Sequence, residues 1–569
     1  MATADPLLVV GLTLLLIVML VINFYILVYW QHPDDKNESI LVRVLIVYGL
    51  QLSAVAVLML PVDVANNAGD PSCDPTSLFN QGTSTYCGGI DMFAVWETFF
   101  SMICFSVVCF IPLAMFYYEA DSFDLNNANK KKTRLIPALM QESVVIVFFL
   151  VLLLALYYTK SYTALPVDEY KIDYTVGVTS TSNITTSGLS RLLNYTRLPG
   201  QSPYEFVDLN IPLPQNVTAT EALVVMPAPF SVYLIGLFSW LAWWMFTFFV
   251  GVGFACTPVD FIAAYVFRPR VMAPDAMANK ELELQDKTSD LIEIVTLLKR
   301  ERANLNDGGA ASKRALRVRY LPDRMEVNRL TQMVFLLERD LQDFKSCKDV
   351  RKGYNPLVPY FYLAAGIFFC LLTVLWLLQI ILSVITTPPA SPFLSLYLIS
   401  FDSWFPMFGN LTYAIFALYL LLCTIKGCFK LSVRFVCCKL YPMQPSGTFI
   451  NAFVFNLGII MTSSVPLVHF CVVAFGGYTV YSDVFFLFAV QVKNLNFFSS
   501  FFQNNVFIWM LMMIAFVSMP YFIYRPRDIA MSAEDVRRNL ADRAMNSGGN
   551  YSIISKKGDD KKEVELTKV

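Results

Sequence analysis

The sequence predicts an all-α polytopic membrane protein with nine membrane-spanning helices. Of its 569 residues, 56% are hydrophobic and only 15% are charged, and the mean hydropathy is +0.53. Soluble domains carry about 25% charged residues, so the composition excludes a string of soluble domains. The 43 Lys and Arg residues nearly balance the 44 Asp and Glu residues, so the chain has no overall basic field for nucleic acid.

Stretches of about 20 apolar residues, the length that crosses the hydrocarbon layer, support this fold class. There are nine of them: 7–30, 44–65, 93–117, 135–158, 229–257, 356–385, 405–425, 447–475 and 506–524. The first is not a cleavable signal peptide, because MATADP contains no Lys or Arg and the apolar run that follows is too long.

The loops between these stretches differ in charge. Three short loops (31–43, 118–134 and 426–444) hold ten Lys and Arg in 49 residues, whereas the alternate loops hold five in 146 residues. By the positive-inside rule the N-terminus is outside or lumenal and the C-terminus is cytosolic. No Lys or Arg falls inside a proposed apolar core. The predicted regions are a five-helix membrane region (1–267), a cytosolic insertion (268–355), a four-helix membrane region (356–524) and a cytosolic tail (525–569).

Two outer loops carry features typical of the outer side. Loop 159–228 contains three N-glycosylation sequons, at Asn183, Asn194 and Asn216. Loop 66–92 contains Cys73 and Cys87, the two cysteines of twelve that face the oxidising side. They are predicted to form a disulfide, with two free thiols as the alternative.

The spacing of apolar residues in the cytosolic insertion predicts a coiled-coil hairpin. Four leucines recur every seventh residue, at Leu284, Leu291, Leu298 and Leu305. After a break at 306–309, a second apolar seam comprises Val327, Leu330, Val334, Leu337, Leu341 and Phe344. The two helices are expected to pair with each other or with the hairpin of a second copy in a homodimer.

The tail ends in a stretch with the composition of a disordered terminus. It contains Tyr551-Ser-Ile-Ile554, the Tyr-x-x-apolar pattern that endocytic and lysosomal sorting adaptors bind. Tyr551 and Ile554 are therefore the predicted sorting residues, with a chance match as the alternative.

Three carboxylates at the ends of the spans are the candidate intramembrane site. Asp63 and Glu97 are predicted to face each other near the outer surface, and Asp260 lies near the inner end of the fifth stretch. Glu142 and His469 also fall within spans. The alternative for each is a hydrated or paired group at the membrane interface.

No enzymatic motif accompanies these residues. The chain has no Walker A, HExxH, GxSxG or Rossmann pattern, and its two histidines are His32 and His469. We therefore expect a protein that is not an enzyme and that needs no metal or other cofactor.

Several short motifs occur in order along nearly the whole chain. They are YWQHPDD (29–35), LMLPVDVAN (58–66), IPLAMFYYEAD (111–121), PPASPFL (388–394), FDSW (401–404) and NAFVFNLGIIMTSSVPLVHFC (451–471). Through these motifs the chain resembles the limb-region-one-like membrane proteins, which include the lipocalin-interacting membrane receptor (LIMR) branch, and it is most similar to the plant-type members.

The resemblance implies nine spans, a long cytosolic loop with coiled-coil character and a cytosolic C-terminus. It also implies one of three functions: an endocytic receptor for a lipocalin-like ligand, a lysosomal transporter or transport partner for a cobalamin-like cofactor, or a scaffold that modulates receptor signalling. The implied partners are a cofactor-carrying ligand, a sorting adaptor or an ABC-type transporter. The implied membrane is the plasma membrane, the endosome or the lysosome. The family supplies no catalytic residues.

Overall fold

The structure is a computed structural model in which most of the chain is described. The described residues are 6–32, 40–68, 91–119, 131–172, 217–268, 273–306, 310–353, 357–386, 390–405, 407–434, 448–480, 482–525, 551–554, 557–558, 561–562 and 565–568. Contacts between residues divide the chain into two units. The first comprises 1–254, 369–427 and 443–518, and the second comprises 255–368, 428–442 and 519–569.

Helices dominate both units. They are α1 (Pro6–Trp30), α2 (Ile40–Ala68), α3 (Met92–Phe105), α4 (Ile111–Glu119), α5 (Lys131–Lys160), α6 (Phe230–Val266), α7 (Pro274–Asn306), α8 (Ala310–Gly353), α9 (Leu357–Gln379), α10 (Phe393–Trp404), α11 (Phe408–Arg434), α12 (Ile450–Ala474), α13 (Gly476–Thr479), α14 (Asp483–Phe485), α15 (Asn496–Phe502) and α16 (Val506–Tyr524). Three π-helical segments continue α3, α9 and α14: Ser106–Phe110, Ile380–Ile385 and Phe486–Gln491.

Nine helical stretches among the described residues are long and apolar enough to cross a membrane, which confirms the predicted number. They are Val10–Trp30, Ile40–Asn66, Met92–Tyr117, Leu135–Lys160, Phe230–Val266, Leu357–Ile385, Phe408–Leu431, Ile450–Ala474 and Asn496–Tyr524. The chain is therefore an integral membrane protein. The assignment of inner and outer sides stays a prediction.

Several spans extend beyond their predicted boundaries, and the seventh is an example. The seventh span was predicted to end at residue 425, but α11 continues to Arg434 and its span includes Lys430. Lys430 thus lies in the extension, beyond the predicted apolar core that contains no Lys or Arg. The physical reason is that Lys430 is buried against a carboxylate, so its charge does not end the helix.

Helix α12 lies at the centre of the first unit. In its most apolar window 72% of the residues are buried, and it packs against α2, α3 and α4. The surrounding core is strongly aromatic. Its largest fully buried side chains include Trp96, Trp376, Tyr233, Tyr413, Phe470 and Phe475.

The chain turns back onto α12 after that helix ends. Residues 476–505 lie between the eighth and ninth predicted spans, and in the structure they include α13, α14, a π-helical segment and a short 3-10 turn, Val492–Asn494. Val484, Leu487 and Phe488 are fully buried. This segment, 482–494, therefore belongs to the core of the first unit.

A β-hairpin departs from the all-helical expectation. Strand β1 (Tyr162–Ile172) pairs antiparallel with β2 (Val217–Pro227), in the register Tyr162↔Pro227 to Ile172↔Val217. Its base is fastened to the core by an isolated bridge between Thr163 and Leu495. The hairpin forms the two ends of the predicted glycosylated loop. Residues 173–216 lie outside the described residues.

In the second unit, α7 and α8 form a helical hairpin with a short apolar seam. Leu291 and Ile294 pack with Leu330 and Met333. Beside this seam, hydrogen bonds from Lys280 and Lys287 lower the pKa of Glu283 to about 2. Two long helices are thus present as predicted, and their supercoiling as a coiled coil stays a prediction.

The seam of α8 keeps the predicted Leu330 and Leu337 but differs from the prediction at Val334 and Leu341. Met333 is buried, whereas Val334 and Leu341 are both 40% exposed. Neighbouring residues differ by about 100° around a helix, so apolar spacing alone does not determine which of Met333 and Val334 faces α7.

Four short strands lie in the tail, within the second unit. Strand β3 (Tyr551–Ile554) pairs antiparallel with β6 (Glu565–Lys568), and β4 (Lys557–Gly558) pairs with β5 (Lys561–Lys562). The tail was expected to be unfolded, so these pairings differ from the sequence analysis. They place Tyr551 and Ile554 in extended backbone.

Candidate functional site

Asp63 is fully buried in α2, and it accepts three hydrogen bonds. The Trp96 indole N–H donates to Oδ2 at 2.8 Å, and the backbone N–H groups of Val484 and Asp483 donate to Oδ2 and Oδ1 at 2.9 and 3.2 Å. Asp63 therefore caps the first turn of α14, where unpaired N–H groups favour a negative charge. These bonds join α2, α3 and segment 482–494.

Asp483 likewise accepts a hydrogen bond from an N–H group in the first turn of α3. The Phe93 N–H donates to Asp483 Oδ2 at 3.1 Å, while Asp91 caps α3 through the Ala94 N–H at 2.9 Å. Burial raises the pKa of Asp483 to about 6, and the Phe93 hydrogen bond opposes that rise. We call Asp63, Trp96 and Asp483, with the N–H groups they bind, the aspartate clasp.

The predicted pair of Asp63 and Glu97 does not form in the structure. The residue on Asp63 is Trp96, and the neighbouring carboxylate is Asp483. Glu97 is half-buried on another face of α3. Consecutive residues of a helix point about 100° apart, so Glu97 cannot share the direction of Trp96.

Asp260 is held in an ion pair within the second unit. Lys430 Nζ lies 2.7 Å from Asp260 Oδ1, and the Lys430 side chain is only 7% exposed. The Lys430 ammonium also lies over the ring of Phe522, 5.8 Å from its centroid. Of the two alternatives for Asp260, the structure therefore favours a paired group.

A second polar joint lies near the start of α11. The Tyr478 hydroxyl donates to Asp402 Oδ2 at 2.5 Å, and the Gly409 N–H donates to Asp402 Oδ1 at 2.8 Å. Burial, and then the bond to Asp402, raise the pKa of Tyr478 above its ordinary value, so the hydroxyl keeps its proton as a donor. This joint ties α10 to the turn after α12.

His469 is buried in α12, and both of its hydrogen bonds are made at Nδ1. The Trp243 indole N–H and the Ser239 hydroxyl each lie 3.2 Å from this nitrogen. An indole N–H only donates, so Nδ1 is an acceptor and the ring proton lies on Nε2. The imidazole also stacks on Phe488, with centroids 4.7 Å apart.

A pocket opens beside His469. It encloses about 350 Å³ of empty space, counting its open mouth. Its polar lining residues are His469, Lys493 and Asn505, and its walls include Trp243, Phe501 and Phe507. Burial lowers the pKa of Lys493.

Comparison with known proteins assigns the chain to a family. The model of the LMBR1-like membrane proteins matches residues 8–339. The chain belongs to this family. The match covers more than half of the LMBR1-like chain and includes the first five spans and most of the α7–α8 hairpin.

Relatives from a slime mould and from plants extend the match over most of the chain. A LIMR family protein of Dictyostelium discoideum is 26% identical over 89% of this chain and 95% of its own. LIMR family proteins of Arabidopsis thaliana and rice are 26% and 25% identical, each over 89% of this chain. No solved structure matches the LMBR1-like chain.

The motifs that carry the resemblance lie at the joints of the first unit. Asp63, in motif 58–66, forms the clasp, and Asp402, in motif 401–404, binds Tyr478. His32, in motif 29–35, donates its backbone N–H to Thr448 O at 2.9 Å and stacks on Phe449. These LMBR1-like motifs therefore fasten segments that are distant in sequence.

Glu142 differs from the other intramembrane carboxylates. It is 3% exposed, and neither of its carboxylate oxygens has a hydrogen-bond partner among the described residues. Helix α5 packs against α4 and the π-helical segment Ser106–Phe110. A buried carboxylate with no partner is costly and marks a functional candidate.

Five of the predicted site residues are not among the residues that the structure describes. Asn183, Asn194 and Asn216, like Cys73 and Cys87, fall outside the described residues. Glycosylation and the disulfide therefore stay predictions. In the part of the chain that the structure describes, no group of three or more His, Cys, Asp or Glu side chains is placed to hold a metal ion.

The sequence analysis did not identify Asp483, Lys493 or Asp402 as functional residues. Ser482-Asp483 before an apolar run is an N-cap signal that identifies the start of α14. Lys493 is an isolated cation between two apolar stretches. Nothing in the spacing of residues links Asp402 to Tyr478, because their contact depends on the tertiary fold.

Proposed function

We propose that this LMBR1-like protein is a membrane receptor or escort that traffics a ligand or partner. The observation that carries the proposal is that two intramembrane carboxylates, Asp63 and Asp260, are already engaged in bonds within the protein. Asp63 is saturated by three N–H donors and Asp260 is ion-paired with Lys430. Both groups hold helices together, which leaves neither available to line a route for a substrate.

The extramembrane parts support the same proposal. Helices α7 and α8 are 33 and 44 residues long, and most of their described surface is charged and exposed. A long polar hairpin suits contacts with trafficking proteins or with a second copy. The proposal requires no enzymatic step, and the expectation that the chain is not an enzyme stays a prediction.

The predicted sorting residues extend the proposal to adaptors. Adaptors bind such peptides in an extended form, and Tyr551–Ile554 is a strand with β6 on one edge. An adaptor that adds the peptide to its own sheet uses the other edge or displaces β6. The plasma membrane, the endosome and the lysosome are the membranes where this sorting takes place.

The test is an internalisation assay in cells. Tyr551→Ala and Ile554→Ala are expected to slow internalisation several-fold, as followed by surface biotinylation, because each removes one anchor side chain of the peptide. Ser552→Ala is the matched control and should internalise normally. Unchanged internalisation in both anchor variants would rule out the sorting role.

A transporter is the second candidate, and the pocket beside His469 together with the unpaired Glu142 favours it. The route through Asp63 and Glu97 has no support in the geometry. A proteoliposome assay with a cobalamin-like cofactor should show flux that falls in Glu142→Gln and persists in Glu97→Gln. Flux equal to that of empty vesicles would refute transport of that cofactor.

A scaffold for signalling receptors is the third candidate. It shares the α7–α8 hairpin as its interaction surface. Crosslinking in native membranes separates the candidates: a receptor or escort yields a ligand or an adaptor, a transport partner yields an ABC-type transporter, and a scaffold yields signalling proteins alone.

A further inference from the structure

Helix α10 connects two spans and is too short to cross the membrane itself. Its 12 residues give a length of about 18 Å, whereas the hydrocarbon layer is roughly 30 Å thick. It lies between the spans Leu357–Ile385 and Phe408–Leu431. Consecutive spans cross in opposite directions, so both ends of this connector lie on one side of the membrane. A surface helix in water would present its polar residues outward.

The polarity of α10 is the reverse of that expectation. The one charged residue of the helix, Asp402, is half-buried and accepts a hydrogen bond from the Tyr478 hydroxyl. Ser395 is buried as well. The exposed large side chains of α10 are all apolar or aromatic: Leu396, Tyr397, Ile399 and Trp404. Trp404 is 78% exposed, so the protein itself covers little of this surface.

Two serines lie on the exposed side of α10, and their hydroxyls are satisfied within the helix. Ser400 Oγ donates to Leu396 O at 2.8 Å, and Ser403 Oγ donates to Ser400 O at 2.7 Å. Serines in membrane helices use backbone carbonyls in this way, because lipid offers no hydrogen bonds. Neither hydroxyl therefore depends on water.

An aromatic strip connects α10 to the exposed side of α11. The Phe401 ring lies 4.6 Å from Tyr397 and 6.3 Å from Phe408, and Trp404 lies 6.4 Å from Phe408, measured between centroids. Phe408 begins an exposed apolar stripe along the seventh span, which continues through Leu411, Ile415 and Leu418. Lipid covers such a stripe on a membrane-spanning helix. The surface of α10 continues this lipid-facing stripe.

We propose that α10 and the turn that follows it are embedded in the bilayer, where Tyr397, Trp404 and Phe405 contact phospholipid at the boundary between head groups and acyl chains. Tyr and Trp are enriched at that depth because their rings combine an apolar body with a polar group. The surface goes beyond the receptor or escort function and does not depend on it. A second copy of the chain is the competing occupant.

The test is hydroxyl-radical footprinting of the full-length protein in phosphatidylcholine nanodiscs that hold one chain. The radicals form in water and oxidise methionine, and mass spectrometry measures each methionine separately. Met407, in the turn after α10, is 69% exposed in the structure, and Met513, in the ninth span, is 67% exposed. Met277, in the polar helix α7, is half-buried.

The expected order of oxidation is opposite to the order of exposure in the structure. Met407 should be oxidised as slowly as Met513 and several-fold more slowly than Met277, because lipid shields the first two. Oxidation of Met407 as fast as Met277 would place the turn in water and overturn the proposal. Protection of Met407 only in nanodiscs that hold two chains would assign the surface to a second copy and reject lipid contact.

A charge on the exposed side of α10 gives an independent measurement. Leu396→Asp should lower the thermal denaturation midpoint in nanodiscs by several degrees, because a carboxylate is costly in lipid. In water the same change would be tolerated, since an acidic residue near the start of a helix is favourable. Leu396→Met is the matched control and should keep the midpoint. An unchanged midpoint for Leu396→Asp overturns the proposal, and if that variant does not fold, the footprint of the unmodified protein decides the question.

Discussion

Helices α1 and α12 both cross the membrane, yet their surroundings are opposite. In α12, 72% of the residues in the most apolar window are buried, whereas in α1 only 11% are, as is also true of α5. The α1 window is the more apolar of the two. Apolarity therefore identifies helices that cross the bilayer, and it does not identify the helix at the centre.

Small and polar residues account for the difference. Helix α12 buries Asn456, Ser463, Ser464 and His469, and α6, another central helix, buries Ser239 and Thr247. Lipid is as apolar as leucine, so burial in a membrane bundle depends on close backbone approach and hydrogen bonds. The outer helices need only an apolar surface, which is favourable in contact with lipid.

The largest expected effect comes from the closest approach of two central helices. A Cβ atom added at Gly427 in α11 overlaps the Phe249 carbonyl oxygen of α6, whereas one at Gly11 in α1 meets nothing within 4 Å. Gly427→Leu should therefore cost more than about 4 kcal/mol of stability, because two backbones must separate.

The check is the thermal denaturation midpoint in detergent together with the yield of monodisperse protein. Gly11→Leu is the control, and its midpoint should stay within a degree or so of the unmodified protein. A normal midpoint for Gly427→Leu would contradict the close contact of α6 with α11.

The aspartate clasp gives the next effect. Asp63→Asn replaces one accepting oxygen with an amide that donates, which leaves buried N–H groups at α14 without an acceptor, at a cost of about 2 kcal/mol. Glu97 follows Trp96 in α3 and makes no such bond among the described residues. Glu97→Gln should therefore change stability by less than about 0.5 kcal/mol. Equal midpoints for the two variants would show that Glu97 shares the role of Asp63.

Acidity should stabilise the folded state through Asp483, because protonation removes a desolvated charge. The pKa of Asp483 is raised to about 6 from 3.8, so the folded state binds the proton more tightly than the unfolded state. This contribution is present in full below about pH 4 and is lost as the pH rises through 6. The carboxylates that interact with Asp483 are Asp63 and Asp91. Lowering the pH from about 7.5 to 5 should add about 1 kcal/mol of stability.

The measurement compares denaturation midpoints at the two pH values at constant ionic strength. Asp483→Asn should flatten this pH dependence, since the titrating group is removed. The same slope in the variant and in the unmodified protein would assign the effect to other carboxylates.

The smallest effect concerns Glu142, a buried polar group on the outer helix α5. Glu142→Met removes a carboxylate with no described partner, so stability should stay constant or rise by up to about 1 kcal/mol. A loss of more than about 2 kcal/mol would reveal a partner for Glu142. Such a result would make α5 a packed helix, contrary to its low burial.

The sequence predicted the membrane architecture because lipid imposes a simple length and composition on each span. The nine spans and the long α7–α8 pair follow directly from that rule. The central position of α12 was not predictable, since its serines and asparagine weaken the very signal that identifies a span. The β-hairpin was not predictable either, because Pro166 lies within β1 and proline inside a run of residues argues against a strand.

The candidate site was less predictable than the fold. Asp63 is predicted as an intramembrane candidate from its position in a span, but two of its three donors belong to a segment more than 400 residues later. Asp260 and Lys430 are likewise 170 residues apart. Such pairs depend on which helices touch, and periodicity within one helix carries no information about its neighbours.

The clasp also constrains how the protein is made. Asp63 and the N–H group of Asp483 are separated by 420 positions, so the carboxylate is synthesised long before two of its three donors exist. At about 5–20 residues per second, a ribosome needs roughly 20–80 seconds to synthesise that interval. During this time only the Trp96 indole is available to Asp63, so the early helices have to tolerate a carboxylate that lacks two of its three donors until segment 482–494 is made.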